Sequence, residues 1–232
     1  EIGTGDWSSD VCSSDLLNSR LNVWTALISA MCWQMLPAMD AEAAFKAARR
    51  AIGSESALNR VSNIHFDGYV MAEDSGRRAR LKVIFKKPHL SWMQISSENF
   101  VEEIVANRFE GFFRRTDRET GEAKTQVIPA RAVSRMHNLA WLHLHFYSSP
   151  GKRLGKAVSK GFAEMHGRLC HKVRIQFPAN LWSDLYFEKE SGVHFAMQDD
   201  NGLLRVLSGR IETSGIRFPE KITVFEEGRE TR

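Results

Sequence analysis

Residues 129–147, PARAVSRMHNLAWLHLHFY, carry the longest helical pattern beyond the N-terminal region. Val133, Met136, Ala140, Leu144 and Tyr147 recur at steps of three and four and share a face, while Arg131, Arg135 and Asn138 fall largely outside it. Pro129 suits a first helical position, where a backbone N–H lacks a partner in any case, and Pro150 with Gly151 closes the far end. Roughly six strand-like segments precede this helix and roughly six follow, so one apolar-faced helix interrupts an otherwise antiparallel β chain. Its apolar face must be buried on a sheet. Two arrangements achieve this. In the expected one, the helix lies in the concave face of a curved sheet as a plug or lid over an apolar cavity. In the other, it packs a flat sheet and leaves no cavity.

Ahead of the helix, strand patterns run over 63–71, 78–86, 89–96, 100–107, 112–117 and 123–128, punctuated by Asp74-Ser75-Gly76, Lys87-Pro88 and Glu119-Thr120-Gly121. In the second, Leu81, Val83 and Phe85 alternate with Arg80, Lys82 and Lys86, Ile84 being the exception. After the helix, residues 150–160 read as a basic, Gly-containing loop, and strands follow at 161–165, 169–177, 181–188, 193–198, 203–213 and 217–225. A short helix over 44–51 can dock on the sheet through Phe45, Ala48 and Ile52. Turn signals at about ten-residue spacing, without βαβ alternation, predict one meandering antiparallel sheet in a single domain.

The chain opens without Met, and residues 1–16, EIGTGDWSSDVCSSDL, read as translated sequencing-adapter sequence, an artefact with no expected function. Residues 17–43 read as a secretory signal peptide: Arg20 precedes an apolar stretch from Leu21 to Leu36, and Ala41-Glu42-Ala43 supplies an A-x-A site. Asn22, Ser29 and Gln34 interrupt that stretch, which is short for a membrane span of about 20 apolar residues; an uncleaved anchor is the alternative. Met31 before Cys32 departs from a lipobox, so no lipidated N-terminus is expected. The exported domain is then 44–232. Residues 1–43 hold one basic and six acidic side chains, so removing them moves the net charge from +4 to +9 over the remaining 189 residues. Such a balance favours anionic partners such as phospholipid headgroups, and export argues against nucleic acid. Cys12 and Cys32 leave with the N-terminus, so Cys170 has no intramolecular disulfide partner.

Three stretches resemble the LolA-like superfamily of periplasmic outer-membrane lipoprotein carriers, which includes the LolB type: Val83-Ile84-Phe85-Lys86-Lys87-Pro88; Ile104-Val105-Ala106-Asn107-Arg108-Phe109-Glu110-Gly111-Phe112-Phe113; and Gly215-Ile216-Arg217-Phe218-Pro219-Glu220-Lys221-Ile222. The resemblance covers nearly all of 44–232. It implies a mainly β, α+β fold: a highly curved antiparallel half-barrel of about 11–12 strands, with the central helix covering the concave face. It also implies a monomeric periplasmic carrier that binds lipoprotein acyl chains or another lipid between an inner-membrane donor and an outer-membrane acceptor, without a cofactor. In the carrier, an Arg just before the Pro latches the lid. Lys87 stands at that position, with a flexible point charge in place of a planar fork, and Trp92 lies one residue nearer the Pro than the family's Trp.

Acyl chains need apolar area and a movable cover, at about 0.8 kcal/mol per buried methylene. Leu81, Val83, Phe85, Trp92, Phe112, Met136, Ala140, Leu144, Trp182 and Leu185 are the candidates to line a cavity, with ordinary core as the alternative for each. Lys152, Arg153, Lys156 and Lys160, directly after the helix, are the candidates for holding it at an anionic surface. Enzymatic readings find no constellation. His143 and His145 point roughly 200° apart on a helix. Gly151-Lys152-Arg153-Leu154-Gly155-Lys156 lacks phosphate-loop spacing, and neighbouring Cys170 and His171 face opposite sides of a strand. Asp67, Asp184 and Asp199-Asp200 show no reason to pair. The competing functions are a sensory or protein-interaction domain on the same fold and, third, an exported hydrolase.

Overall fold

The computed structural model describes residues 40–71, 76–148, 155–226 and 229–231. Residues 1–39, the 74–76 turn apart from Gly76, and Lys152 and Arg153 of the basic segment lie outside them. Among the described residues there are three helices: α1 (Ala41–Ile52), α2 (Glu55–Arg60) and α3 (Ala130–His145). The first six strands are β1 (Asn63–Met71), β2 (Arg78–Lys86), β3 (Leu90–Ser96), β4 (Phe100–Asn107), β5 (Glu110–Asp117) and β6 (Ala123–Val127). After α3 come β7 (Lys156–Met165), β8 (Arg168–Phe177), β9 (Leu181–Glu188), β10 (His194–Asp199), β11 (Leu204–Ser208), β12 (Ile211–Thr213), β13 (Ile216–Phe218), β14 (Lys221–Glu226) and β15 (Arg229–Thr231).

β1 to β6 pair in chain order as a six-stranded antiparallel meander; a seven-stranded sheet runs β15-β14-β11-β10-β9-β8-β7, and β12–β13 form a separate hairpin. Neither large sheet closes on itself. The fold is therefore the mainly β, antiparallel, open half-barrel with helices that the sequence implies. Its ladder differs from a single run of 11–12 strands in two ways. Pairing stops between β6 and β7, where α3 intervenes. Two long C-terminal segments also each break, one at Gly209, with φ +66°, and one at Pro219, which has no N–H for a ladder.

Register explains where α3 sits. Phe85, Ser91, Ala106 and Gly111 are successive cross-strand neighbours on β2 to β5, so one row runs from a large ring to no side chain at all. A Cβ at Gly111 would stand 2.7 Å from the Val105 carbonyl oxygen and 3.1 Å from Val133 Cγ2 of the helix. The row is thus a trough that lets the helix approach the strands. Phe85, Ser91 and Ala106 beneath it are 4% exposed or less.

The buried arc of α3 is wider than its apolar spacing predicts. Ala140 and Leu144 pack with Ile64 and Phe85 of the first sheet, while Trp141 and Leu142 pack with Val173, Ile175, Leu181 and Leu185 of the second. Asn138, expected off the apolar face, is buried too. Contact with both sheets makes α3 a core element and not only a cover. Pro129 is the residue before the helix, at φ −57° and ψ 142°, instead of its first position. Its carbonyl accepts from Ala132 and Val133 at 2.8 and 3.1 Å. At the other end Phe146 and Tyr147 are left-handed, at φ 46° and 59°, which stops the helix before Tyr147.

α1 begins at Ala41, three residues earlier than expected, and buries Ala41, Ala44, Phe45 and Ala48 on the second sheet. The Phe45 ring stacks on Tyr147 at 5.7 Å and meets Phe187 edge-on. Gly111→Val is expected to cost at least the roughly 1–3 kcal/mol of an overpacked core, and Gly111→Ala less. Urea melts followed by tryptophan fluorescence measure both; a Val variant as stable as the parent would contradict a close helix seat.

Candidate functional site

Inward-facing residues of the first sheet fall into two zones. Under α3 they are sealed. One step along the strands, the row Val83–Met93–Ile104–Phe113, with Phe66 beside Val83 and Leu81–Ile95 beyond, is only half-buried although it shares the face of Phe85. An apolar strip of seven large side chains is therefore partly uncovered on the concave side. Of the expected cavity residues, Leu81, Val83 and Phe85 meet here, and Ala140 and Leu144 close one end by packing on Phe85.

The others are dispersed. Trp92 and Phe112 belong to the opposite, outer row Ile84–Trp92–Val105–Phe112–Val127. Trp182 is on the outer face of β9 under the Arg174 guanidinium, 4.0 Å from the ring centroid, whereas Leu185 is inner and fully buried with α1. Met136 and Trp182 do meet, in a cleft of about 190 Å³ between α3, β9 and the β10–β11 region, with Leu139, Leu142, Leu181, Met197 and Leu203.

Between the sheets the aromatic interior carries polar groups. The His143 ring stacks on Phe85 at 5.0 Å, and burial pushes its pKa down from 6.5 to about 4, with the positive charge of Arg205 adding to the effect. Tyr147 Oη lies 2.6 Å from His194 Nδ1. Burial lowers the His194 pKa to about 3 and raises that of the Tyr147 phenol, so both stay neutral. His145 instead stacks on Trp141 at 5.3 Å, so His143 and His145 of α3 do serve different surroundings.

Ionic clamps hold both ends of α3. At its C-terminus the buried Arg49 guanidinium donates to the carbonyls of His145 and Phe146 at 2.9 and 2.8 Å, and bidentately to Glu55 at 2.8 and 2.6 Å. At its N-terminal half Arg131 and Arg135 converge on Asp200, which is 5% exposed, at 2.8 and 2.7 Å. The hydrogen bonds from Arg135 and then Arg131 hold that carboxyl below its usual range, against burial. Sequence spacing singles out neither Arg49 nor Asp200, because their partners lie 96 and 65 residues away. Lys87, the latch candidate, donates through Nζ to the Val61 carbonyl at the end of α2, 2.6 Å away. Lys156 and Lys160 are exposed positions on β7 and not parts of a loop. On the outer face of the second sheet burial would raise the Asp184 carboxyl, but Arg174 and Lys172, at 2.6 and 2.8 Å, hold it below its usual range.

Among the described residues no three His, Cys, Asp or Glu side chains converge as metal ligands, and no helix is long and apolar enough to cross a membrane. No known family model and no curated protein matches the sequence. Solved structures similar to it include a DUF1329 family protein from Desulfovibrio piger, 8% identical with a TM-score of 0.48, covering 79% of this chain and 85% of that one. A LolA superfamily protein from Nitrosomonas europaea is 9% identical, TM-score 0.48, covering 82% and 87%. An outer membrane lipoprotein-sorting protein domain from Vibrio parahaemolyticus is 7% identical, TM-score 0.41, covering 81% and 86%. At these identities the likeness is one of fold alone.

Two outcomes follow from the clamps and the buried imidazoles. Arg49→Met is expected to cost about 2–3 kcal/mol, the value of charged hydrogen bonds to buried acceptors. Glu55→Gln, at a residue whose side chain is 64% exposed, should cost under about 1 kcal/mol. Equal losses would show that the ion pair, and not the helix cap, carries the stability. His143 and His194 bind protons less readily folded than unfolded, so stability is full above pH 6.5 and falls as pH drops from 6.5 towards 4. The urea midpoint at pH 5 should lie below that at pH 7.5, and His143→Phe should reduce the difference; an unchanged difference would locate the titration elsewhere.

Proposed function

We propose that the protein is a periplasmic carrier or chaperone that shields lipoprotein acyl chains, or another lipid, in transit from an inner-membrane donor to an outer-membrane acceptor. The observation that carries this reading is the half-covered apolar strip Phe66, Leu81, Val83, Met93, Ile95, Ile104 and Phe113 on the concave face. Hydrocarbon binds wherever apolar area can leave water, at about 25 cal/mol per Å², without directional partners. The strip offers that area, and Ala140 and Leu144 of α3 wall it at one end. Lys87 fixes α2 beside it, and Lys152, Arg153, Lys156 and Lys160 are the basic group by which the protein contacts an anionic bilayer. The reading assigns residues 17–43 to the export signal and needs no cofactor or catalytic residue. A cut after Ala43 would remove the first turn of α1, including buried Ala41.

The second reading, a sensory or protein-interaction domain, draws on the outer row Ile84–Trp92–Val105–Phe112–Val127, whose Phe112 and Val127 are 41% and 85% exposed. Native mass spectrometry of protein purified from envelope fractions, together with displacement of a fluorescent fatty-acid analogue, separates the two. Carrier function predicts copurified lipid and probe binding that Ile104→Asp or Met93→Trp weakens at least tenfold. Absence of both lipid and probe binding, with a stoichiometric protein partner instead, would replace the carrier reading.

A further inference from the structure

The geometry points to a second site, for a phosphate-type anion, at the sheet end beside α3. Three segments distant in sequence converge there: the turn after β2 supplies His89, the β4–β5 turn Arg108 and Phe109, and α3 His137. They line a recess of about 330 Å³, within the range of small-molecule sites of about 300–1,000 Å³. It is separate from the apolar strip, so it does not depend on the carrier reading.

The lining has one electrostatic character. It holds a guanidinium, two imidazoles and a phenyl ring, with no carboxylate among them. The imidazoles face each other with ring centroids 5.7 Å apart. His137 Nε2 is shielded from solvent and has no hydrogen-bond partner among the described residues. Burial, then the proximity of His89, lowers the proton affinity of His137, the cost that an anion in the recess beside the rings would offset. Arg108 has no ion-pair partner among the described residues, although arginines elsewhere on this molecule pair with Asp67, Glu102, Asp184, Asp199 and Asp200. Its backbone is left-handed, at φ 57°, which makes the turn between β4 and β5. Phe109 is 91% exposed at the rim.

A cation is disfavoured by the guanidinium and by having two imidazoles where a transition metal needs three or four ligands. A tetrahedral oxyanion suits the set: the guanidinium can donate two parallel N–H bonds and each imidazole one. The ligand class is therefore inorganic phosphate or a phosphate ester, and an ester substituent would lie towards Phe109. The same chemistry is offered by a soluble phosphate ester and by a phospholipid headgroup.

The test is titration of the full chain with inorganic phosphate at pH 6, read by amide chemical shifts and calorimetry. Shifts should concentrate in residues 87–90, 107–110 and 134–138. Arg108→Asn, which tolerates the left-handed backbone, and His137→Gln should each weaken phosphate at least tenfold while the melting temperature stays within a few degrees. Flotation with phosphatidylcholine vesicles, with and without phosphatidylglycerol, identifies the source. Phosphatidylglycerol-dependent binding lost in both variants assigns a headgroup, and vesicle binding unchanged beside lost phosphate binding assigns a soluble ester. Phosphate binding that both variants retain, or shifts centred on Lys156 and Lys160, would overturn the site.

Discussion

A single buried guanidinium ties the helical and β parts of this molecule together. Arg49 leaves α1, caps the carbonyls at the end of α3 and holds the start of α2 through Glu55, so three helices share one hub of directional bonds. The C-terminal carbonyls of α3 carry the negative end of its dipole, and a cation placed there is stabilised by the field as well as by hydrogen bonding. The His145 carbonyl also accepts from the Ser148 N–H at 2.9 Å, so it is the buried Phe146 carbonyl that depends on this hub for a donor.

The rest of the architecture follows from where that hub permits α3 to lie. Its C-terminal half is pinned near Phe85, Ser91 and Ala106, and its N-terminal half is drawn by Arg131 and Arg135 towards Asp200 on the second sheet. Val133 in that half still rests on Gly111, so the helix lies along the first sheet with an ionic tether to the second, and it fills only part of the concave face. The two ends are held differently. The hub donates mainly to the helix's own carbonyls, while the Asp200 end rests on two ion pairs and one Arg131 bond to the Ala179 carbonyl and is half open to solvent at Arg131, where salt screens it more.

Much of the fold is legible in the sequence because alternation and turn chemistry are strong local signals. Residues 63–71, 78–86, 100–107 and 181–188 are strands with the expected bounds. The start of β7 was hidden because Lys160 and Gly161, at φ +78°, occupy a bulge where register shifts, and a Lys-Gly pair reads as loop. The face of the first sheet was hidden for another reason. Ile84, Trp92 and Val105 make the outer row as apolar as the inner one, so alternation fixes which residues are together but not which set points in. Trp141 and Leu142 escaped the single-face reading because two sheets bury a helix on more than one side. Arg49 and Asp200 escaped because long-range side-chain bonds leave no periodic trace.

The helix seat and the open strip lie on the same strands, displaced from each other by two residues. Ser91, Ala106 and Gly111 belong to the seat; Met93, Ile104 and Phe113 belong to the strip. A change of side-chain volume in the strip need not touch the contact that anchors α3. Lineages of such a protein can therefore adjust what the groove admits, for length, branching or stiffness, while the scaffold's folding energy stays nearly constant.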